Sequence, residues 1–167
     1  MSNFTNKRRD DFLKGYKDLT SVHDQSDKLT TKSKFNFSYF VSDQSAGQDF
    51  IDWDHPRLAM LLNKIKNYTE FPLEHWRNER VGRGGLRMFA TYGKFPSKSQ
   101  FTLPKHIPHE AEWGRFRLGS KIRLIGFTVP SELHNTPHNQ TKDFFDKNTF
   151  YVVFLDRDHK FYTCEKA

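Results

Sequence analysis

The stretch Trp113-Gly114-Arg115-Phe116-Arg117-Leu118-Gly119-Ser120-Lys121-Ile122-Arg123-Leu124-Ile125-Gly126-Phe127-Thr128-Val129 decides how this chain folds. It divides into two strands, 113–118 and 121–129, joined through Gly119-Ser120 as a tight hairpin. Successive side chains of a strand point to opposite faces, so Arg115 and Arg117 share one face and Phe116 and Leu118 the other. Arg123 interrupts the apolar run of the second strand, and hairpin pairing sets it near Arg115 or Arg117. Three guanidinium groups held together repel one another unless an anion neutralises them. The pattern therefore predicts a phosphate-binding sheet face that stabilises developing negative charge. The competing reading is a set of salt bridges to Glu110, Glu112 or an acid of a helix layer.

Working outward, Asn148–Leu155 (NTFYVVFL) is almost continuously apolar, which predicts a strand buried on both faces at the centre of a sheet. Residues 130–147 are a polar surface connection, Asp156-Arg157-Asp158-His159 a last turn, and Lys160–Thr163 an edge strand. Upstream, Lys34–Val41 alternates Phe35, Phe37, Tyr39 and Val41 against Asn36 and Ser38, which predicts a strand with one buried face. Asp54-His55-Pro56 opens a helix, with Asp as N-cap and Pro in the first turn. Its core stripe is Leu58, Leu61, Leu62, Ile65 and Tyr68, with Lys64 and Lys66 off it. A second short helix over 72–79 turns Leu73 and Trp76 inward and stops before Gly82-Arg83-Gly84-Gly85. Leu86–Phe89 reads as a short strand, and the segment up to Pro108 as irregular. The expected class is α+β, with helices packed on one face of a small twisted antiparallel sheet. Residues 1–33 are polar and read as a helix over Asp11–Leu19 (Phe12, Leu13, Tyr16 and Leu19 on one face) followed by a flexible linker. Residues 34–167 form the single α+β domain.

Composition narrows the function. The 167 residues suit one domain, and a mean hydropathy of −0.82 leaves the core to rings, chiefly the 17 Phe. Trp53, Trp76 and Trp113 fall at core periodicities, so they read as core rather than as base-stacking groups. No apolar run approaches the roughly 18 residues of a membrane span, and no secretory signal follows Met1. A cytoplasmic location is the expectation. The single cysteine, Cys164, excludes an internal disulfide and a Cys-rich zinc site and reads as inert. The net charge is +7, and one segment carries all of it. Between His75 and Arg123 stand eleven bases (Arg77, Arg80, Arg83, Arg87, Lys94, Lys98, Lys105, Arg115, Arg117, Lys121 and Arg123) against three acids, Glu79, Glu110 and Glu112. Such a block predicts contact with nucleic acid, with a plain solvated face as the alternative.

Several motifs carry candidate chemistry. His106, His109 and Glu110 form H-x-x-H-E. The spacing of three, the intervening Pro108 and the outlying Glu argue against a helical zinc protease site, leaving a lone metal site, an acid–base group or two loop histidines. Val81–Gly85 (VGRGG) follows a helix rather than a strand, so it reads as a hinge and not a phosphate-binding loop. Asp156 and Asp158 lack a third acid for a magnesium site. His159 and Tyr162 read either as proton-transfer groups, with Asp156 to orient a base, or as the adjacent acids and bases of an ordinary surface turn.

The last third has a recognisable outline: Gly114-Arg115-Phe116-Arg117-Leu118-Gly119, a turn into Lys121-Ile122-Arg123-Leu124-Ile125-Gly126-Phe127, the apolar strand Phe150–Leu155, then His159 and Tyr162. It resembles the closing sheet of RelE/ParE/HigB-type toxins of bacterial toxin–antitoxin systems, over about 50 of the 167 residues. Those toxins are shorter than this chain, and residues 131–147 depart from their outline as a polar insertion between the last strands. The resemblance implies an endoribonuclease that cleaves messenger RNA, often on the ribosome, without metal or cofactor. It implies phosphate binding by Arg117 and Arg123 and proton transfer by His159 or Tyr162. It also implies an acidic antitoxin covering the same face. The alternatives are a non-catalytic nucleic-acid-binding protein, and a protein-interaction module of a phage or mobile element.

Overall fold

A computed structural model of the protein describes residues 7–15, 22–23 and 28–163. The chain forms two units, residues 1–30 and 31–167. In the first, helix α1 (Lys7–Gly15) carries an ion pair between Asp11 and Lys14 at 3.8 Å. It starts before the predicted Asp11–Leu19 span; Tyr16 and Leu19 lie outside the described residues, as does Cys164. No helix among the described residues is long and apolar enough to cross a membrane.

In the second unit, helix α2 (His55–Tyr68) starts as its sequence dictates: the Asp54 carboxylate accepts the Arg57 N–H at 2.9 Å, and Pro56 sits in the first turn. Leu61 and Tyr68 are buried, and Leu58 and Ile65 pack beside them. Leu62, predicted for the same stripe, instead stands 66% exposed, because the buried arc of this helix is narrower than the stripe drawn from spacing. Helix α3 (Leu73–Asn78) buries Leu73 and Trp76, and the Trp76 Nε1–H donates to the Tyr68 carbonyl at 2.8 Å, locking the two helices together.

The strands are β1 (Lys34–Asn36), β2 (Arg80–Val81), β3 (Leu86–Arg87), β4 (Phe89–Gly93), β5 (Glu112–Arg117), β6 (Arg123–Thr128) and β7 (Thr149–Asp156). Five of them make one sheet in the order β1-β7-β6-β5-β4, and β2 and β3 form a separate hairpin. The class is α+β as expected, with one correction: β1 runs parallel to β7, so the sheet is mixed rather than antiparallel. β1 is also shorter than the predicted 34–41. The Asn36 side chain accepts the Ser38 N–H at 2.8 Å and turns the chain off the sheet, which it rejoins where Val41 N–H meets the Val153 carbonyl at 2.9 Å. The apolar strand β7 is interior, but β6, buried at every position, is the central strand. The β5–β6 connection is wider than the tight hairpin expected, closing at Leu118 N–H to the Ile122 carbonyl, 3.0 Å. Residues 86–93 split between the small hairpin and the edge strand β4. Lys160–Thr163 is a turn and not an edge strand.

The two sheet faces are covered differently. On one, α2 and α3 pack Leu61, Tyr68, Leu73 and Trp76 onto Phe89, Phe116, Leu124 and Phe150. On the other, loop residues Ala46, Phe101, Ile107 and Phe161 cover Trp113, Ile125, Phe127 and Phe154. Between the β6 and β7 rungs the register shifts at Ile125/Gly126. A Cβ on Gly126 would fall 2.1 Å from the Tyr151 carbonyl oxygen, so the strands approach there only because the residue is glycine.

Candidate functional site

Pairing of β5 with β6 sets Arg117 directly opposite Arg123, with Arg115 two residues along, opposite Ile125. All three arginines lie on the face away from the helices, beyond the part that the loops cover. The predicted salt bridges to Glu110 and Glu112 are absent: among the described residues no carboxylate lies within 4.0 Å of any of the three. Backbone carbonyls take part of their hydrogen-bonding capacity. Arg115 Nη1 donates to the Arg87 carbonyl and Arg117 Nη1 to the Ser120 carbonyl, each at 3.2 Å. Arg123 is 4% exposed and donates to the carbonyls of Gly119 (3.0 Å), Ile122 (2.9 Å) and Ser120 (3.0 Å). Arg123 thus staples the β5–β6 turn and adds positive field from beneath, while Arg115 and Arg117 remain half-buried at the surface. Burial, reinforced by the neighbouring guanidiniums of Arg117 and Arg115, pulls the Arg123 pKa down to about 10. Burial, then Arg115, lowers Arg117 in the same sense. Burial dominates both depressions and the neighbouring guanidiniums add to them, while Asp156, opposite Arg123 across the β6–β7 pair, works the other way on Arg123.

Two further groups join them. Tyr92 on β4 lies against Arg115, and burial raises its pKa, so the phenol keeps its proton. Tyr162 stacks on Tyr92, rings 4.9 Å apart at 7°. His159 sits in the turn after β7. Its backbone is left-handed, φ 62°, a conformation that His visits more readily than most residues. The turn is built by Asp156, 1% exposed, whose carboxylate accepts the N–H groups of Lys160 and Phe161, both at 2.9 Å. These bonds replace the edge-strand pairing expected of residues 160–163. They also redefine Asp156, which shapes the turn under His159 rather than hydrogen-bonding its ring. Burial first, and then the positive charge of Arg123, lower the His159 pKa below its usual 6.5, with Asp156 opposing. The imidazole is therefore neutral at neutral pH and available as a base.

The remaining predicted bases are dispersed. Arg77 lies over the Phe89 ring at 5.4 Å and 3.4 Å from Glu74. Arg80, Arg83 and Arg87 stand exposed on the β2–β3 hairpin. Lys94 and Lys98 line a cleft of about 770 Å³ with Tyr92 and Tyr162. Lys105 and Lys121 are exposed in loops. His106 stacks on Tyr39 (6.0 Å, 12°) and His109 meets Glu110 at 3.2 Å, so neither histidine joins the arginines. Asp158 pairs with Arg157 at 3.6 Å and Lys160 at 3.8 Å. Among the described residues no three metal-binding side chains converge.

Sequence reading missed Tyr92. It lies in a stretch whose strand β4 is broken by an irregularity between Thr91 and Gly93, so no alternation announced it. No family model, no curated protein and no solved structure matches the chain, so its own chemistry must supply the reading.

Proposed function

We propose that this face binds the phosphodiester backbone of RNA and cleaves it, as an endoribonuclease in which Arg115, Arg117, His159 and Tyr92 act together. The observation that carries the reading is the pair of half-buried arginines Arg115 and Arg117, with no carboxylate within 4.0 Å among the described residues, on the face where Arg123 and Arg115 disfavour the charged form of His159 in its Asp156-built turn. Arg115 and Arg117 hold the phosphate oxygens and stabilise the added charge of the pentavalent transition state. His159 accepts the proton of the ribose 2′-hydroxyl. The 2′-oxygen attacks phosphorus, and the bond to the 5′-oxygen breaks. Tyr92 gives its proton to that departing oxygen. The products are a 2′,3′-cyclic phosphate and a 5′-hydroxyl end. Tyr162, stacked on Tyr92, holds the phenol in place. An acidic antitoxin, and the ribosome as the place of action, belong to the same proposal: the uncompensated positive face suits both.

The test is a gel assay of labelled single-stranded RNA, with EDTA or magnesium, alone and with ribosomes. Wild type should cleave in EDTA and leave cyclic phosphate ends. His159→Asn, which keeps a residue at home in the left-handed turn, should lose at least about 100-fold in rate while binding persists. Arg117→Ala should weaken binding and reduce its salt slope. Binding without cleavage in wild type would replace this reading with a non-catalytic nucleic-acid-binding protein. Neither binding nor cleavage would leave a protein-contact surface.

A further inference from the structure

The β2–β3 hairpin is built against its own stability. Its strands are two residues each, and isolated two-stranded hairpins are marginal in water. Its turn holds Gly82, Gly84 and Gly85, with φ of 62° at Gly82 and 68° at Gly85, and glycine loses the most freedom on folding. Its register sets Arg80 directly opposite Arg87, and like charges facing across a strand pair destabilise it. Arg83 projects from the turn between them. All three arginines are exposed, and among the described residues none has a carboxylate within 4.0 Å. Besides its two ladder pairs, the hairpin is held by the Arg80 side chain, whose Nη1 donates to the Gly85 carbonyl at 2.8 Å, and by the Met88 N–H, which donates to the Glu79 carbonyl at 3.0 Å.

The hairpin is tied to the arginine face. The Arg87 carbonyl accepts Arg115 Nη1. At the hairpin's base, Val81 and Met88 wall a notch of about 200 Å³ with Arg117, Ser120 and Lys64 of α2. Lys64 is half-buried there, and it too has no carboxylate within 4.0 Å among the described residues.

We propose that the β2–β3 hairpin, with Lys64 at its base, is an exosite that grips RNA phosphates beyond the one held by Arg115 and Arg117. This inference rests on the RNA reading of the arginine face and adds where the rest of the strand goes. At ~3.3 Å per residue the two-residue strands extend about 7 Å, and the turn of Gly82–Gly85 carries Arg83 past their ends, so the hairpin continues the basic track beyond the reacting phosphate. The bound polyanion removes the Arg80–Arg87 repulsion that the free protein carries. The exosite therefore contributes to the affinity of long RNA and nothing to the chemical step.

Fluorescence anisotropy with labelled single-stranded RNAs of 4 and 20 nucleotides, across a salt series, tests this. The variants are Arg80→Gln/Arg83→Gln/Arg87→Gln, the matching triple Arg→Lys, and Arg117→Ala. The Gln triple should bind the 20-mer about 10–100-fold more weakly, with a salt slope smaller by about 2, since each phosphate contact to single strands contributes ~0.7. Its affinity for the 4-mer should match wild type, and the Lys triple should restore long-RNA binding. Equal loss on both lengths, or failure of the Lys triple to restore, would overturn the exosite, because the hairpin would then act on the reactive face or on folding. Undiminished 20-mer binding by the Gln triple, with Arg117→Ala still defective, would sink the exosite and leave the arginine face standing. If Arg117→Ala binds both RNAs normally, the function reading itself fails.

Discussion

The two faces of the five-stranded sheet are made by the same strands and behave as different materials. The helix face is closed along its length by rings: Phe116 meets Phe89 at 4.6 Å, Tyr68 at 4.5 Å and Phe150 at 5.1 Å. The opposite face is closed for only part of its length. There loop residues Phe101 and Phe161 pack on Phe154, while the remainder presents Arg115, Arg117 and His159. One strand serves both: Phe116 is fully buried and its neighbour Arg117 is not. At the Phe116–Arg117 end of β5, packed rings lie on one side of the strand and clustered cations on the other, while Trp113 near its start is buried on the cation side under the loops. A protein with one face this well packed can hold unneutralised charge on the other.

The sharpest way to break that contrast is at Phe116. Phe116→Ala empties the centre of the ring cluster and should cost about 3–5 kcal/mol, the range for a buried phenylalanine. Urea denaturation measures it. Arg117→Ala, one residue on, should shift stability by no more than about 0.5 kcal/mol, because it removes a cation that has no carboxylate within 4.0 Å among the described residues. Comparable losses from the two changes would mean that the arginine face also carries the fold.

The helix face is the part legible in the sequence, and the reason is physical. Helix and strand periodicities follow from regular backbone, so the Asp54 cap, the Leu58-Leu61-Ile65-Tyr68 spacing and the Arg115/Arg117 alternation could be read directly. The pairing of Arg123 with that face was also legible, since hairpin connectivity sets it. What escaped was set by irregular backbone or by contacts remote in sequence. The left-handed turn at His159 depends on a side-chain carboxylate capping two backbone N–H groups, which no periodicity encodes. Tyr92 reaches Arg115 only because β4, unrecognised in the sequence, pairs with β5. Arg123 was expected to hold phosphate alongside Arg117, yet its burial under the turn carbonyls depends on the width of the β5–β6 connection.

A second, smaller effect belongs to the turn between the two materials. Asp156→Ala leaves the N–H groups of Lys160 and the buried Phe161 without acceptors, at about 1–3 kcal/mol for the unsatisfied groups. The loss should be local. Amide exchange should rise first at residues 157–161, and RNA cleavage should fall as far as in His159→Asn, because the imidazole is no longer held beside the arginines. Full cleavage by Asp156→Ala would show that the turn does not position His159.

The smallest effect is the pH dependence of His159, and its sign is fixed by the direction of the shift. The unfolded chain takes up this proton near pH 6.5, whereas the folded protein takes it up only at lower pH, because burial and Arg123 disfavour the imidazolium. Between the two values the unfolded state holds more protons, so stability rises with pH across that window and is lost as pH falls through it. The same shift sets the activity profile. If neutral His159 accepts the 2′-hydroxyl proton, the acid limb of kcat/KM lies below pH 6.5. Removing a neighbouring charge, as in Arg115→Gln, should move that limb upward, since Arg115 also disfavours the charged ring. An NMR titration of the His159 ring in wild type and in Arg115→Gln reads both values directly. A His159 midpoint at or above 6.5 in the wild-type protein would mean that the arginine face is already neutralised in the free molecule, and the contrast between the two faces of the sheet would no longer hold.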